Sequence, residues 1–239
     1  KGQTDETSPV QHLNPEFAVE PRWWAPSEAI HRTFGKNMPP ALIAFKKVTS
    51  STNQRTMISA FIPIVGVVDS THLVKFNQKT SISLQSCLLA NFNAFALDYI
   101  ARQKVGGVNL NFFFVEQFPV FEPDFYKQKC PWNKKQTLEK WITDRVLKLT
   151  CTSNDMIPLA EAAGFKPSVH KWDNAERLDL MAELDAAYFL LYGIERKDVE
   201  YILTTFAGLR DETPDLLSSS TTSTKILKFY DDFKSESHS

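Results

Sequence analysis

The 239-residue chain carries 43% hydrophobic residues and a formal net charge of −1. That content suffices for a full buried core, in one large domain or two small ones, and the expected class is a soluble globular protein. No apolar run reaches the roughly 18 residues that a membrane span needs, and the N-terminal KGQTDETSPV lacks a charged-then-apolar leader, which excludes a membrane partner and points to the cytoplasm. The near-zero charge hides an asymmetry. Residues 1–150 hold 18 Lys and Arg against 12 Asp and Glu, a balance of +6, whereas 151–239 hold 9 against 16, a balance of −7. Screening confines electrostatics to about 10 Å, so a basic half can meet a polyanion although the whole is neutral. Cys87, Cys130 and Cys151 are too few and too scattered for a disulfide framework or a zinc site, and reduced thiols are expected.

In chain order, residues 1–40 are rich in Pro and Trp and predict an extended arm pinned by Trp23 and Trp24. The chain starts without Met on a polar stretch, as a piece of a longer protein would. Two apolar runs, 41–48 and 56–64, predict paired strands, and the polar stretch FKKVTSSTNQRT at 45–56 supplies the end of the first strand and the loop between them. A third strand is expected within 66–76. From Ser83 the apolar residues Leu84, Leu88, Phe92, Phe95 and Tyr99 recur at helical spacing, predicting one amphipathic helix that stops at Gly106-Gly107 after the cations Arg102 and Lys104. The alternation of Val108, Leu110, Phe112 and Phe114 predicts a return to strand. Helices are expected at 138–149, 175–192, 198–206 and 225–233, with a Ser/Thr linker at 218–224. The fold class is therefore α+β: an arm (1–40), an α+β domain with a mixed or antiparallel sheet and a long amphipathic helix (41–150), and a helical C-terminal subdomain (151–239).

Catalytic signatures are sparse. Eight glycines form neither G-x-G-x-x-G nor a phosphate-cradling loop, and the lone Pro-Pro in Asn37-Met38-Pro39-Pro40-Ala41 lacks the Asn-Pro-Pro-aromatic order with which an adenine methyltransferase holds its flipped base. The five histidines have no evident nucleophile or acid partner. Glu183 with Asp185, and Asp231 with Asp232, read as solvated helix faces. No catalytic residue, metal ligand or cofactor site is expected in this chain.

Three stretches carry a resemblance. They are Thr49–Thr56 with Met57-Ile-Ser-Ala-Phe-Ile-Pro63; Asp98–Gly107 followed by Asn109-Leu-Asn-Phe-Phe113 and Gln117-Phe-Pro-Val120; and Arg177-Leu-Asp179 through Leu184-Asp-Ala-Ala-Tyr188 to Tyr192-Gly-Ile194. In that order they resemble the C-terminal target recognition region, a TaqI-like specificity domain, of adenine-specific DNA methyltransferases of type II or type IIG-like restriction-modification and phage-defence systems. The resemblance implies a bacterial or archaeal cytoplasmic protein and sequence-specific recognition of double-stranded DNA. It also implies a catalytic methyltransferase domain in cis that binds S-adenosylmethionine, sometimes with nuclease activity, and that lies outside this chain.

On the residues themselves, Lys46, Lys47, Arg102 and Lys104 offer cations to phosphates. Asn53, Gln54 and Arg55 suit paired hydrogen bonds with purine edges. Thr49, Ser50 and Ser51 shape the turn that presents them. Asn111 is a further candidate DNA contact, while Asn109 is expected to cap a buried turn. The alternative is a protein-interaction scaffold of a defence complex, with the helices at 175–206, near Tyr188 and Tyr192, as its contact surface.

Overall fold

The computed structural model describes residues 6–20, 24–35, 37–77, 79–166, 168–212 and 220–237. Two short helices, α1 (Pro9–His12) and α2 (Ser27–Phe34), precede a three-stranded antiparallel sheet of β1 (Leu42–Lys46), β2 (Ser59–Ile62) and β3 (Thr71–Val74) in the order β2-β1-β3. β1 is central, and its unbroken apolar run Ala41–Phe45 is buried throughout, as a strand covered on both faces requires. Its register sets Phe45 opposite Ser59 on one side and His72 on the other.

α3 (Ile82–Asn93) starts at Ser81, whose hydroxyl accepts from the Leu84 amide at 3.1 Å. The single helix expected from Ser83 to Lys104 is two, because Ala94 adopts an extended backbone before α4 (Phe95–Lys104) begins. Two side chains account for the break. Asn93 turns its amide onto β2, with Ser59 N–H donating to Oδ1 at 3.0 Å and Nδ2 donating to the Ser59 carbonyl at 2.9 Å. The Phe95 amide, an orphan donor of the restarted helix, is taken up by the Asp185 carboxylate at 2.8 Å.

The strand expected over 108–115 does not form. Only the bridge of Asn109 with Val48 is made, and the chain then winds into α5 (Phe112–Val115), with Phe114 N–H donating to the Asn111 carbonyl at 3.0 Å. Accordingly Leu110 is fully buried while Val108 is 64% exposed, which breaks the expected shared face.

A small hairpin of β4 (Lys129–Cys130) and β5 (Asn133–Thr137), not foreseen from the sequence, leads into α6 (Leu138–Thr150). α7 (Ile157–Ala162), α8 (Asn174–Leu191), α9 (Arg196–Thr204), α10 (Ala207–Arg210) and α11 (Thr222–Ser237) complete the chain. Asp173 caps α8 through the Glu176 amide at 2.9 Å, and Gly193 ends it with φ 68°, a conformation that favours glycine. α11 packs along α8 and α6 against α3. Thr222–Thr224 lie inside α11 rather than in a linker, and Ser218 and Ser219 fall outside the described residues.

Two corrections concern the arm. It contains α1 and α2, and Trp24 is 77% exposed rather than an anchor, while Trp23 lies outside the described residues. Its contacts with the body include His12, stacked on Trp172 at 3.8 Å, and the Pro15 carbonyl, which accepts from Asn154 N–H at 2.8 Å. The main core draws on both sides of residue 150: Ile43, Phe61, Phe95 and Trp141 share it with Tyr188, Phe206 and Tyr230. A second cluster, Phe45, Met57, Phe92, Leu97, Ala101, Val105, Leu110 and Phe118, lies under the polar loop.

Candidate nucleic-acid interface

The polar loop leaves β1 at Lys46 and returns to the core at Met57, which is fully buried. Its inner side is folded on itself. Thr49, itself buried, donates through Oγ1 to the Thr56 carbonyl at 2.8 Å and accepts from Asn53 Nδ2 at 3.3 Å. The Ser50 and Thr52 hydroxyls share a hydrogen bond at 2.8 Å. Thr49, Ser50 and Asn53 therefore shape the loop, and Asn53 does not project as a reading side chain.

Two arginine–aspartate pairs bind this loop to the helices behind it. Arg102 bonds Asp98 at 3.2 Å, lays its guanidinium over the Phe206 ring at 3.9 Å, and donates to the Ser51 carbonyl at 2.8 Å, the Gln54 carbonyl at 3.0 Å and the Asn53 carbonyl. Asp98 accepts in turn from the Thr56 amide at 2.9 Å and the Met57 amide at 2.6 Å. Arg55 bonds Asp185 at 2.7 Å, donates to the Asn93 carbonyl, and stacks over Phe95 at 3.6 Å. Asp185 is 2% exposed; burial pushes its carboxyl above the ordinary value, against the pull of Arg55 and of the Phe95 amide. Arg55 and Arg102 thus point into the protein and hold the loop, which corrects the expectation that they face DNA. The expectation that Glu183 and Asp185 form a solvated face is also overturned, since Asp185 is buried and Glu183 pairs with Arg145.

Asp98 and Asp185 were missed as site-forming residues, yet a signal was present. At three- and four-residue steps Asp185 is flanked by Met181, Ala182, Tyr188 and Phe189, and Asp98 by Ala94, Phe95 and Ala101. An aspartate on the apolar face of a helix requires a buried partner.

The loop's outer side is extended by the segment after α4. Thr49 N–H donates to the Val108 carbonyl at 3.0 Å and Leu110 N–H to the Lys47 carbonyl at 2.7 Å, so 47–49 and 108–110 run as a short antiparallel pair. Across this ledge Lys46, Val48, Ser51, Thr52, Gln54, Val108, Asn109 and Asn111 are exposed. Asn109 was expected to cap a buried turn; it stands exposed opposite Val48. Lys47 pairs with Asp69 at 2.6 Å, holding that carboxyl below its ordinary value, and Lys104 donates to Gln117 at 3.2 Å. Gln54 crosses α10 where Gly208 leaves room: a Cβ there would lie 3.0 Å from Gln54 Cγ.

Residues 49–63, 98–120 and 177–194 meet in space. Arg55 reaches Asp185, Arg102 reaches the loop, and the Tyr192 hydroxyl donates to the Pro119 carbonyl. Tyr188, expected on a contact surface, is fully buried, its hydroxyl donating to the Cys87 carbonyl at 2.7 Å. Among the described residues no helix is long and apolar enough to cross a membrane. Comparison with family models, curated proteins and solved structures finds no match to this chain.

Proposed function

We propose that this chain is the DNA-reading module of an adenine-specific methyltransferase of restriction-modification type, engaging duplex DNA through the ledge formed by 46–54 and 104–111. The observation that carries the reading is the charge of that ledge. Residues 46–54 and 104–111 contain three cations, Lys46, Lys47 and Lys104, and no Asp or Glu. Lys47 is matched by Asp69, which leaves Lys46 and Lys104 for phosphates. Gln54, Asn109 and Asn111 supply paired donors and acceptors for base edges, with Ser51 beside them. The transfer step belongs to a separate S-adenosylmethionine-binding domain of the same cytoplasmic parent, and this chain contributes recognition alone. The burial of Tyr188 favours this reading over a scaffold that docks partners at 175–206.

The test is selection of duplexes from a randomised pool on the purified chain, repeated at rising salt. Enrichment of one motif, with affinity falling as rising salt diminishes the entropic gain of releasing counterions from the DNA, is the expected result. Recovery of no duplex, or binding indifferent to salt, overturns it.

A further inference from the structure

Gly208 lies in α10 without a positive φ, and at such a helical position alanine is the better helix former. What the glycine provides is space. A Cβ on it would stand 3.0 Å from Gln54 Cγ and 3.3 Å from Gln54 Cβ, inside the roughly 3.5 to 4.0 Å at which carbon atoms pack. Both sides of this contact are anchored. Phe206 and Leu209, on either side of Gly208, are buried in the main core, and Arg102 holds the loop backbone by donating to the Gln54 carbonyl at 3.0 Å and to the Asn53 carbonyl. The stem of Gln54 is thereby seated against α10, while the residue stands exposed and its amide group makes no hydrogen bond with a described residue. Because that amide is neutral, a hydrogen bond from it to a base edge does not depend on the charge of the surrounding surface, where Asp211 follows Gly208 and pairs with Arg210 at 2.9 Å.

We infer that Gln54 reads one adenine of the target in the major groove and that Gly208 is the residue that positions it. A carboxamide presents one donor group beside one acceptor. Adenine answers with its N7 acceptor beside its N6 donor, whereas guanine shows two acceptors there, thymine an acceptor and a methyl group, and cytosine a donor alone. Such paired contacts tolerate a displacement of no more than about 0.5 Å, which is the shift that a Cβ at Gly208 would impose on the Gln54 stem. The inference rests on the DNA-reading assignment above and deepens it by naming a base, the side chain that reads it and a determinant outside the loop.

The experiment takes the motif that the wild-type chain selects and measures, by fluorescence anisotropy, the affinity of wild type, Gln54→Ala and Gly208→Ala for that duplex and for duplexes with each base pair replaced in turn. Wild type should lose about tenfold in affinity when one particular A·T pair is replaced, and part of that when the adenine there becomes 7-deazaadenine, which lacks the N7 acceptor. Both variants should lose discrimination at that pair alone, and keep the salt slope because no charge is removed. The double variant should discriminate no worse than either, since the two residues act as one unit. A Gly208→Ala chain that keeps the preference, or that weakens at every pair together with a lowered thermal midpoint, refutes the positioning role. If wild type binds and Gln54→Ala keeps its discrimination at every pair, the adenine contact is refuted while the DNA reading stands. If wild type binds no duplex, both fall.

Discussion

The polar loop has two sides built from the same kinds of residue, and they behave in opposite ways. On the inner side Arg55 and Arg102 are held by Asp185 and Asp98, by backbone carbonyls and by the rings of Phe95 and Phe206. On the outer side Lys46 is exposed and without a carboxylate partner among the described residues, and Lys104 meets only the neutral Gln117. The difference follows from side-chain chemistry. A planar guanidinium satisfies several acceptors at once and stacks on an aromatic face, so it tolerates partial burial; an ammonium is strongly hydrated and stays at the surface. A cation in a recognition loop is therefore a candidate contact only when its charge is not already matched from within.

The largest expected effect comes from breaking the inner side. Asp185→Ala strands Arg55 and the Phe95 amide, and Asp98→Ala strands Arg102 with the Thr56 and Met57 amides; each should lower stability by about 3 kcal/mol or more in urea unfolding. A smaller loss, about 1 kcal/mol by the same measurement, is expected for Tyr188→Phe, which removes the buried hydrogen bond that the hydroxyl donates to the Cys87 carbonyl. At the outer side Lys46→Ala should move stability by no more than about 0.5 kcal/mol, as exposed sites do. The smallest signal is expected from the thiols. Burial raises Cys130 and Cys151 to about 11 and Cys87 still further, so a maleimide at neutral pH should label none of the three until denaturant is added. Rapid labelling of the native chain would contradict the burial of these cysteines.

Much of the fold was legible because it rests on local pattern. The strands β1 and β2 and the helices α6, α8, α9 and α11 follow from apolar periodicity, and the α+β class with them. What was not legible depends on partners distant in sequence. The break at Ala94 needs Asn93 to bond Ser59 and Asp185 to take the Phe95 amide across 90 residues. The run Phe112-Phe113-Phe114-Val115 is apolar at every position, so the alternation that predicted a strand there did not exclude a helix, and the neighbouring backbone bonds chose a helical turn. At the candidate site the sequence located the loop and its cations, but the sorting of arginines inward and lysines outward required the positions of Asp98 and Asp185. Their placement on apolar helix faces was the visible clue.

The central claim is that the outer lysines, and not the inner arginines, meet phosphate. It is tested most directly by the salt dependence of duplex binding for a Lys46→Ala/Lys104→Ala variant of the chain, measured by anisotropy beside its thermal midpoint. Each lost phosphate contact should reduce the slope of log affinity against log salt by about 0.9, so the double variant should flatten it by nearly two while melting with wild type. An unchanged slope in a folded variant would contradict the account.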